Sequence, residues 1–317
     1  MKILITGASG LLGINLALVA ARQHTVFGTL NSQKITSEAF TVIETDLLEP
    51  SAVDRVLDKC QPDWVIHCAA LANLEACEDE PELAWQLNTE LPRNLAKQCR
   101  QGGARLLHVS TDAVFDGQRG SYTELDAPNP LSVYSQTKLA AESAVVEAHP
   151  EAIIARVNLF GWSIRGQRSL AEFFFNNLQM GNPMMGFIDL LFCPLLVNDI
   201  AEIFLMMLQK ELRGLYHVVS CESISKYDFG TEIARIFGFD PGLIIPTSVA
   251  ESSLSAPRSP NLTLKVDKLI HDLGSVPPKI FPALDRFYTL YQQGYPQALK
   301  NLRFGITEDL TDEGSRT

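Results

Sequence analysis

Residues 7–13, GASGLLG, follow a short apolar strand and open an apolar helix. Glycines at 7, 10 and 13 let a backbone turn tightly and approach a pyrophosphate. The helix start supplies free N–H groups and the positive end of a dipole. The strand–helix context separates this loop from an ordinary glycine turn, and it assigns Gly7, Ser9, Gly10, Leu11 and Leu12 to a dinucleotide. The spacing is G-x-x-G-x-x-G, not the G-x-G-x-x-G of most dehydrogenases. After the second strand, in GTLNSQK, Asn31 and Ser32 stand where an acid would bond the adenosine ribose and repel a 2′-phosphate. Lys34 is close by and no acid appears before Glu38, a corner that favours NADPH and leaves NADH open. Asp46, followed by Leu47 in TDL, could accept from the adenine amino group or cap a turn.

A second stretch, LSVYSQTKLAAE at 131–142, places Tyr134 and Lys138 four residues apart in a segment of good helix formers. On a helix both side chains share one face. Taken alone, the pair is a phenol covering the stem of a surface lysine. Its meaning depends on the elements around it.

Those elements follow a strand–helix rhythm. Strands are expected at 2–6, 25–30, 40–46, 63–70, 104–111 and 152–157, with helices between them. Ser51 and Asp54 suggest a capping box for a helix ending near Cys60. A helix over 80–101 has Pro81 in its first turn, and Pro92 inside it predicts a kink or a break. Short, continuously apolar strands alternating with helices mean a parallel sheet covered on both faces, an α/β fold of the doubly wound Rossmann type. The rhythm loosens after Gly161, with helices near 169–180, 197–210, 225–237, 264–273 and 280–293. The expected organisation is a dinucleotide-binding domain over 1–165 to which later segments return. A smaller substrate-binding part spans 166–300, and an acidic tail spans 301–317.

The 317 residues carry a net charge of -11, which argues against nucleic acid or an anionic membrane as partner. Six scattered cysteines, with no Cys-x-x-Cys pair and no metal-ligand spacing, fit reduced thiols in a cytoplasmic protein without a metal site. The N-terminus reads as a strand rather than a signal peptide, and no apolar run is long enough to span a membrane.

GASGLLG, TDL, HCAA at 67–70, STDAVFDG at 110–117 and YSQTK together resemble extended short-chain dehydrogenases/reductases. STDAVFDG followed by PLSVYSQTKLAAE is most similar to dTDP-4-dehydrorhamnose reductases and their relatives. The resemblance is specific over 1–165 and weaker beyond. It implies a triad of Thr111, Tyr134 and Lys138. Thr111 would bond the substrate carbonyl, and Tyr134 would give its proton to the forming alkoxide. Lys138 would lower the phenol pKa and hold the nicotinamide ribose. It further implies that Ala69, Ala70 and Leu71 line the cofactor, that Asn88 either bonds backbone near the site or acts directly, and that Ala113, Asn158 and Arg258 face substrate. His67 reads as core.

Two positions depart from the pattern. Ala113 stands where the reductases carry tyrosine and sugar-nucleotide dehydratases carry glutamate, and Leu159 stands where an aromatic is usual. Dehydration is therefore not expected, and the substrate pocket differs. The reading that results is an NADPH-dependent reductase of a 4-keto sugar nucleotide, with a homodimer compatible. The open alternatives are an NAD-dependent epimerase, a reductase of a non-nucleotide carbonyl, and a non-catalytic regulatory protein on the same fold. The segment FIDLLFCPLLV is open between lid, subunit contact and core.

Overall fold

The computed structural model describes residues 1–31, 33–251 and 259–303. Ser32, Arg258 and nearly all of the acidic tail lie outside the described residues. β1 (Lys2–Thr6), β2 (Thr25–Leu30), β3 (Thr41–Glu44), β4 (Trp64–His67), β5 (Arg105–Thr111) and β6 (Ile153–Val157) form one parallel sheet with a later strand, Gly214–Val218. This seven-stranded sheet runs in the order 214–218, β6, β5, β4, β1, β2, β3. The chain leaves β1 toward β2 and β3, then crosses back to place β4 on the other side of β1. That reversal opens a crevice beyond the carboxyl ends of the strands.

Successive residues of the strands face opposite layers. Ile3, Ile5 and Ile66 pack with helices α1 (Leu11–Ala21), α8 (Val197–Gln209) and α11 (Ile280–Gln292). Leu4, Val65 and Leu106 pack on the other face with α2 (Ala52–Cys60), α5 (Leu91–Gly102) and α6 (Val133–Ala148). Two buried layers explain why the strands read as apolar runs without alternation. Most of FIDLLFCPLLV is core: Phe192, Leu195 and Leu196 are buried in the larger cluster, and Phe192 meets Phe229 edge-on.

Two local expectations change. Ser51 does not cap α2: its backbone is left-handed, φ 57°, which turns the hydroxyl away from the helix amides. The amide of Ala52 instead bonds the carbonyl of Glu49 at 3.1 Å. The helix expected over 80–101 is three pieces, α4 (Pro81–Trp85), a π-helical turn (Gln86–Glu90) and α5. Pro92 has no N–H to offer the carbonyl one turn back, at Asn88, and the widened turn precedes it directly. Two short helices are not evident in the sequence, α3 (Leu74–Asp79) and α12 (Tyr295–Asn301). The remaining helices are α7 (Leu170–Met180), α9 (Lys226–Phe237) and α10 (Asp267–Leu273). Among the described residues, no helix is long and apolar enough to cross a membrane.

Candidate active site

The glycine loop is a close-packed cradle. Gly7 has φ 67°, and a Cβ there would sit 2.8 Å from the backbone of Ala69. A Cβ on Gly13 would sit 2.2 Å from the carbonyl oxygen of Gly7. The first turn of α1 has neither a side-chain cap nor an acid, so its N–H groups are available to an anion. The loop and the 69–71 segment face each other at the β1/β4 switch point, a geometry that fits a dinucleotide pyrophosphate. Thr6 Oγ1 accepts from the amide of Ala69 at 3.3 Å and meets His67 Nδ1 at 2.7 Å. Asn88 holds Leu71 by both backbone groups, accepting from its amide at 2.8 Å and donating to its carbonyl at 3.0 Å. The same amide nitrogen donates to Thr137 Oγ1 at 3.1 Å. Asn88 therefore bonds backbone and ties the 69–71 segment to α6, and the π-turn aims it there.

The corner after β2 differs from its sequence reading. Lys34 is paired with Glu44 at 3.2 Å, and both are largely exposed. Asp46 Oδ1 caps a turn by accepting from the amide of Leu48 at 2.9 Å. Asn31 is exposed at the strand end.

α6 begins at Ser132, whose hydroxyl accepts from the amide of Ser135 at 3.3 Å. Ser135 Oγ accepts from the amide of Ser132 at 3.0 Å, closing a capping box. Glu78 of α3 accepts from the amide of Val133 at 2.9 Å. These bonds fix the turn that carries Tyr134. Its phenol, half-buried, lies near the hydroxyl of Thr111 at the end of β5. Thr111 also accepts from the amide of Ala113 at 3.2 Å.

Lys138 is buried, and its Nζ donates to the carbonyl of Val109 at 2.6 Å and lies 3.3 Å from His108 Nε2. The ammonium is thus directed at β5, and the expected lowering of the phenol pKa is not found. Burial pushes Tyr134 up to about 12, with the nearby Thr111 hydroxyl opposing it, and burial pulls Lys138 down to about 8. His67 and His108 stack at 5.4 Å beneath it. Burial first, and the nearby ammonium second, hold His67 down to about 3, so it is a neutral core residue.

Asp112 is the site residue that the sequence reading passed over. It is 4% exposed, accepts from Asn158 Nδ2 at 2.6 Å and from Thr111 Oγ1 at 3.2 Å. Burial raises its carboxyl to about 6, against the lowering effect of these bonds. An acid directly after the threonine at a strand end was the available signal. Asn158 stands beside Asp112 and spends its amide on it. Ala113 is half-buried next to Thr111. Arg258 lies outside the described residues, but its neighbour Ser259 donates to the carbonyl of Phe115 at 3.2 Å, beyond the end of β5. A separate cavity of about 620 Å³, lined by Trp162, Arg165, Phe175, Tyr291 and Lys300 among others, contains none of the triad. Among the described residues, no group of three or more His, Cys, Asp or Glu gathers as a metal site.

Known proteins are similar to this chain in sequence and fold. The sequence model of the RmlD substrate binding domain matches residues 1–293. A Haloferax volcanii protein named "Probable low-salt glycan biosynthesis reductase Agl14" is 32% identical over 286 residues, 88% of this chain and 95% of that one. The methionine adenosyltransferase 2 subunit beta of Danio rerio is 32% identical over 278 residues, 84% of each chain. The crystal structure of the Bacillus anthracis dTDP-4-dehydrorhamnose reductase in complex with NADP has a TM-score of 0.79 at 26% identity, over 91% of this chain and 99% of that one.

Proposed function

Since this chain belongs to the RmlD substrate binding domain family, whose fold and NAD(P)-dependent oxidoreductase character it shares, we propose that it reduces a 4-keto sugar nucleotide with NADPH. The observation that carries this reading is the meeting of Tyr134, at the first turn of α6, with Thr111 at the carboxyl end of β5, on the same switch-point crevice as the glycine cradle. Gly7, Gly10 and the first amides of α1 would hold the pyrophosphate, Ala69–Leu71 would line the nicotinamide side, and Lys138 would take the ribose hydroxyls. The chemistry that bound NADPH would supply is a hydride to the carbonyl carbon. Thr111 and Tyr134 hydrogen-bond the carbonyl oxygen, and the phenolic proton passes to that oxygen as negative charge develops on it. A phenol raised to about 12 is fully protonated at neutral pH, the state an acid donor needs. It remains more acidic than the alkoxide's conjugate alcohol, so the transfer is downhill.

The segments after Gly161 supply the sugar-nucleotide side. Ala113 leaves room beside Thr111 where a bulkier residue would restrict the sugar. A second reading, a regulatory subunit on this fold, draws on the likeness to the methionine adenosyltransferase subunit. The separating experiment is NADPH consumption with a dTDP-4-keto-6-deoxy sugar, for the intact protein and Tyr134→Phe. Turnover lost by about a hundredfold or more in the variant supports the reductase. No turnover with NADPH still bound favours the regulatory reading or another carbonyl. Copurifying NAD without net consumption of reductant favours an epimerase.

A further inference from the structure

The corner after β2 receives a cation from a distant part of the chain. Arg165 lies in the loop that follows the short strand Leu159–Phe160, and its Nε donates to Gln33 Oε1 at 3.1 Å. The terminal nitrogens of this exposed guanidinium have no hydrogen bond or ion pair to any described residue. The amide nitrogen of Gln33 is buried and also lacks a partner. Two sets of unspent donors therefore meet one and two residues beyond Asn31 and Ser32, where the adenosine ribose is read.

The loop carrying Arg165 is held firmly. The carbonyl of Trp162 accepts from Asn15 of α1 at 3.0 Å. Glu172 of α7 accepts from the amides of Ser163 and Arg168 at 2.6 and 2.7 Å. Asn176 donates to the carbonyl of Gly166 at 2.6 Å. The helix whose N-terminus forms the pyrophosphate cradle thus also anchors the loop that presents the guanidinium.

We propose that Arg165 and Gln33 form the subsite for the adenosine 2′-phosphate, and that Arg165, not Lys34, makes the protein prefer NADPH over NADH. The inference rests on the cofactor reading above. A guanidinium meets phosphate with two parallel N–H donors, and that of Arg165 has no ion pair with a described carboxylate to share its charge. Lys34 shares its charge with Glu44 in an exposed pair and is the weaker candidate.

The test is a binding titration of the full-length protein with NADPH and, separately, NADH, without substrate, by calorimetry or tryptophan quenching. Arg165→Ala is expected to weaken NADPH by about ten- to a hundredfold and to leave NADH within about twofold. Arg165→Lys should fall between, and Lys34→Ala should change NADPH by less than about threefold. Equal loss of both nucleotides in Arg165→Ala, unchanged NADPH binding in it, or a larger loss in Lys34→Ala than in Arg165→Ala overturns the assignment. If the unaltered protein binds neither nucleotide, the cofactor reading falls and the subsite with it.

Discussion

The two sides of the switch-point crevice are built by different means. On one side, the glycine cradle is consecutive backbone: the seven residues 7–13, running from the end of β1 into the first turn of α1, whose tightness is set by missing side chains. On the other, the Thr111–Tyr134–Lys138 side is an assembly of side chains from β5, α6, the π-turn and the loop after β6. Buried polar contacts hold it in place. Arg156 of β6 pairs with Glu142 of α6 at 2.7 Å with both nearly fully buried, and Ser110 donates to the same carboxylate at 2.5 Å. The glycine side is a local motif that meets the rest of the chain chiefly at Ala69. The Tyr134 side depends on how α6 is pinned to the sheet.

That contrast predicts where each side breaks. The largest effect falls on the frame of the Tyr134 side. Arg156→Leu leaves Glu142 buried without its partner and should cost about 3–5 kcal/mol of stability, measured by urea unfolding. Adding Glu142→Leu should recover much of that loss, and a double variant no better than the single one would show that the pair is not the cause. Next, Gly13→Ala forces a methyl against the Gly7 carbonyl. It should weaken NADPH binding at least tenfold and cost about 3 kcal/mol. Full binding by this variant would mean the cradle is looser than the geometry requires.

The third prediction concerns pH. Asp112 titrates at about 6 in the fold against an ordinary 3.8, so the folded protein holds that proton more tightly than the unfolded chain. The penalty for burying the carboxylate is fully present above about pH 6 and fades as pH falls toward 4. Relative to Asp112→Asn, the unaltered protein should gain about 2–3 kcal/mol across that window, read by denaturation at several pH values. A parallel pH dependence in the two proteins would remove Asp112 as its source. The smallest effect is expected at the seam between the two sides. Asn88→Ala cuts the tie between Leu71 and Thr137 and should lower kcat about three- to tenfold, with a similar rise in the NADPH dissociation constant. A change in kcat alone would place Asn88 with the catalytic side only.

How much of this was legible follows the same division. The strand beginnings, the cradle and the Tyr134–Lys138 spacing are local facts, carried by apolar runs, glycine positions and a four-residue interval. Pro92 announced a break in its helix because a missing N–H is a property of one residue. The orientation of Lys138 toward Val109, the burial of Asp112, and the arrival of Arg165 at Gln33 join residues 29, 46 and 132 positions apart. No interval in the sequence encodes those meetings. Ser51 shows the same limit at short range: its type suits a cap, but the preceding turn set a backbone that cannot make one.

The sequence by itself determined a parallel α/β sheet, a tight glycine loop at the end of its first strand, and a phenol and an ammonium on one helix face. Hydrophobic period, missing side chains and helical geometry act between neighbours and need no knowledge of the rest of the chain. Only the tertiary structure decided what those groups experience. Burial raised Tyr134 and Asp112 and lowered Lys138, because the penalty for a charge depends on the material packed around it. Packing of the late loop against α1 then brought Arg165 to Gln33.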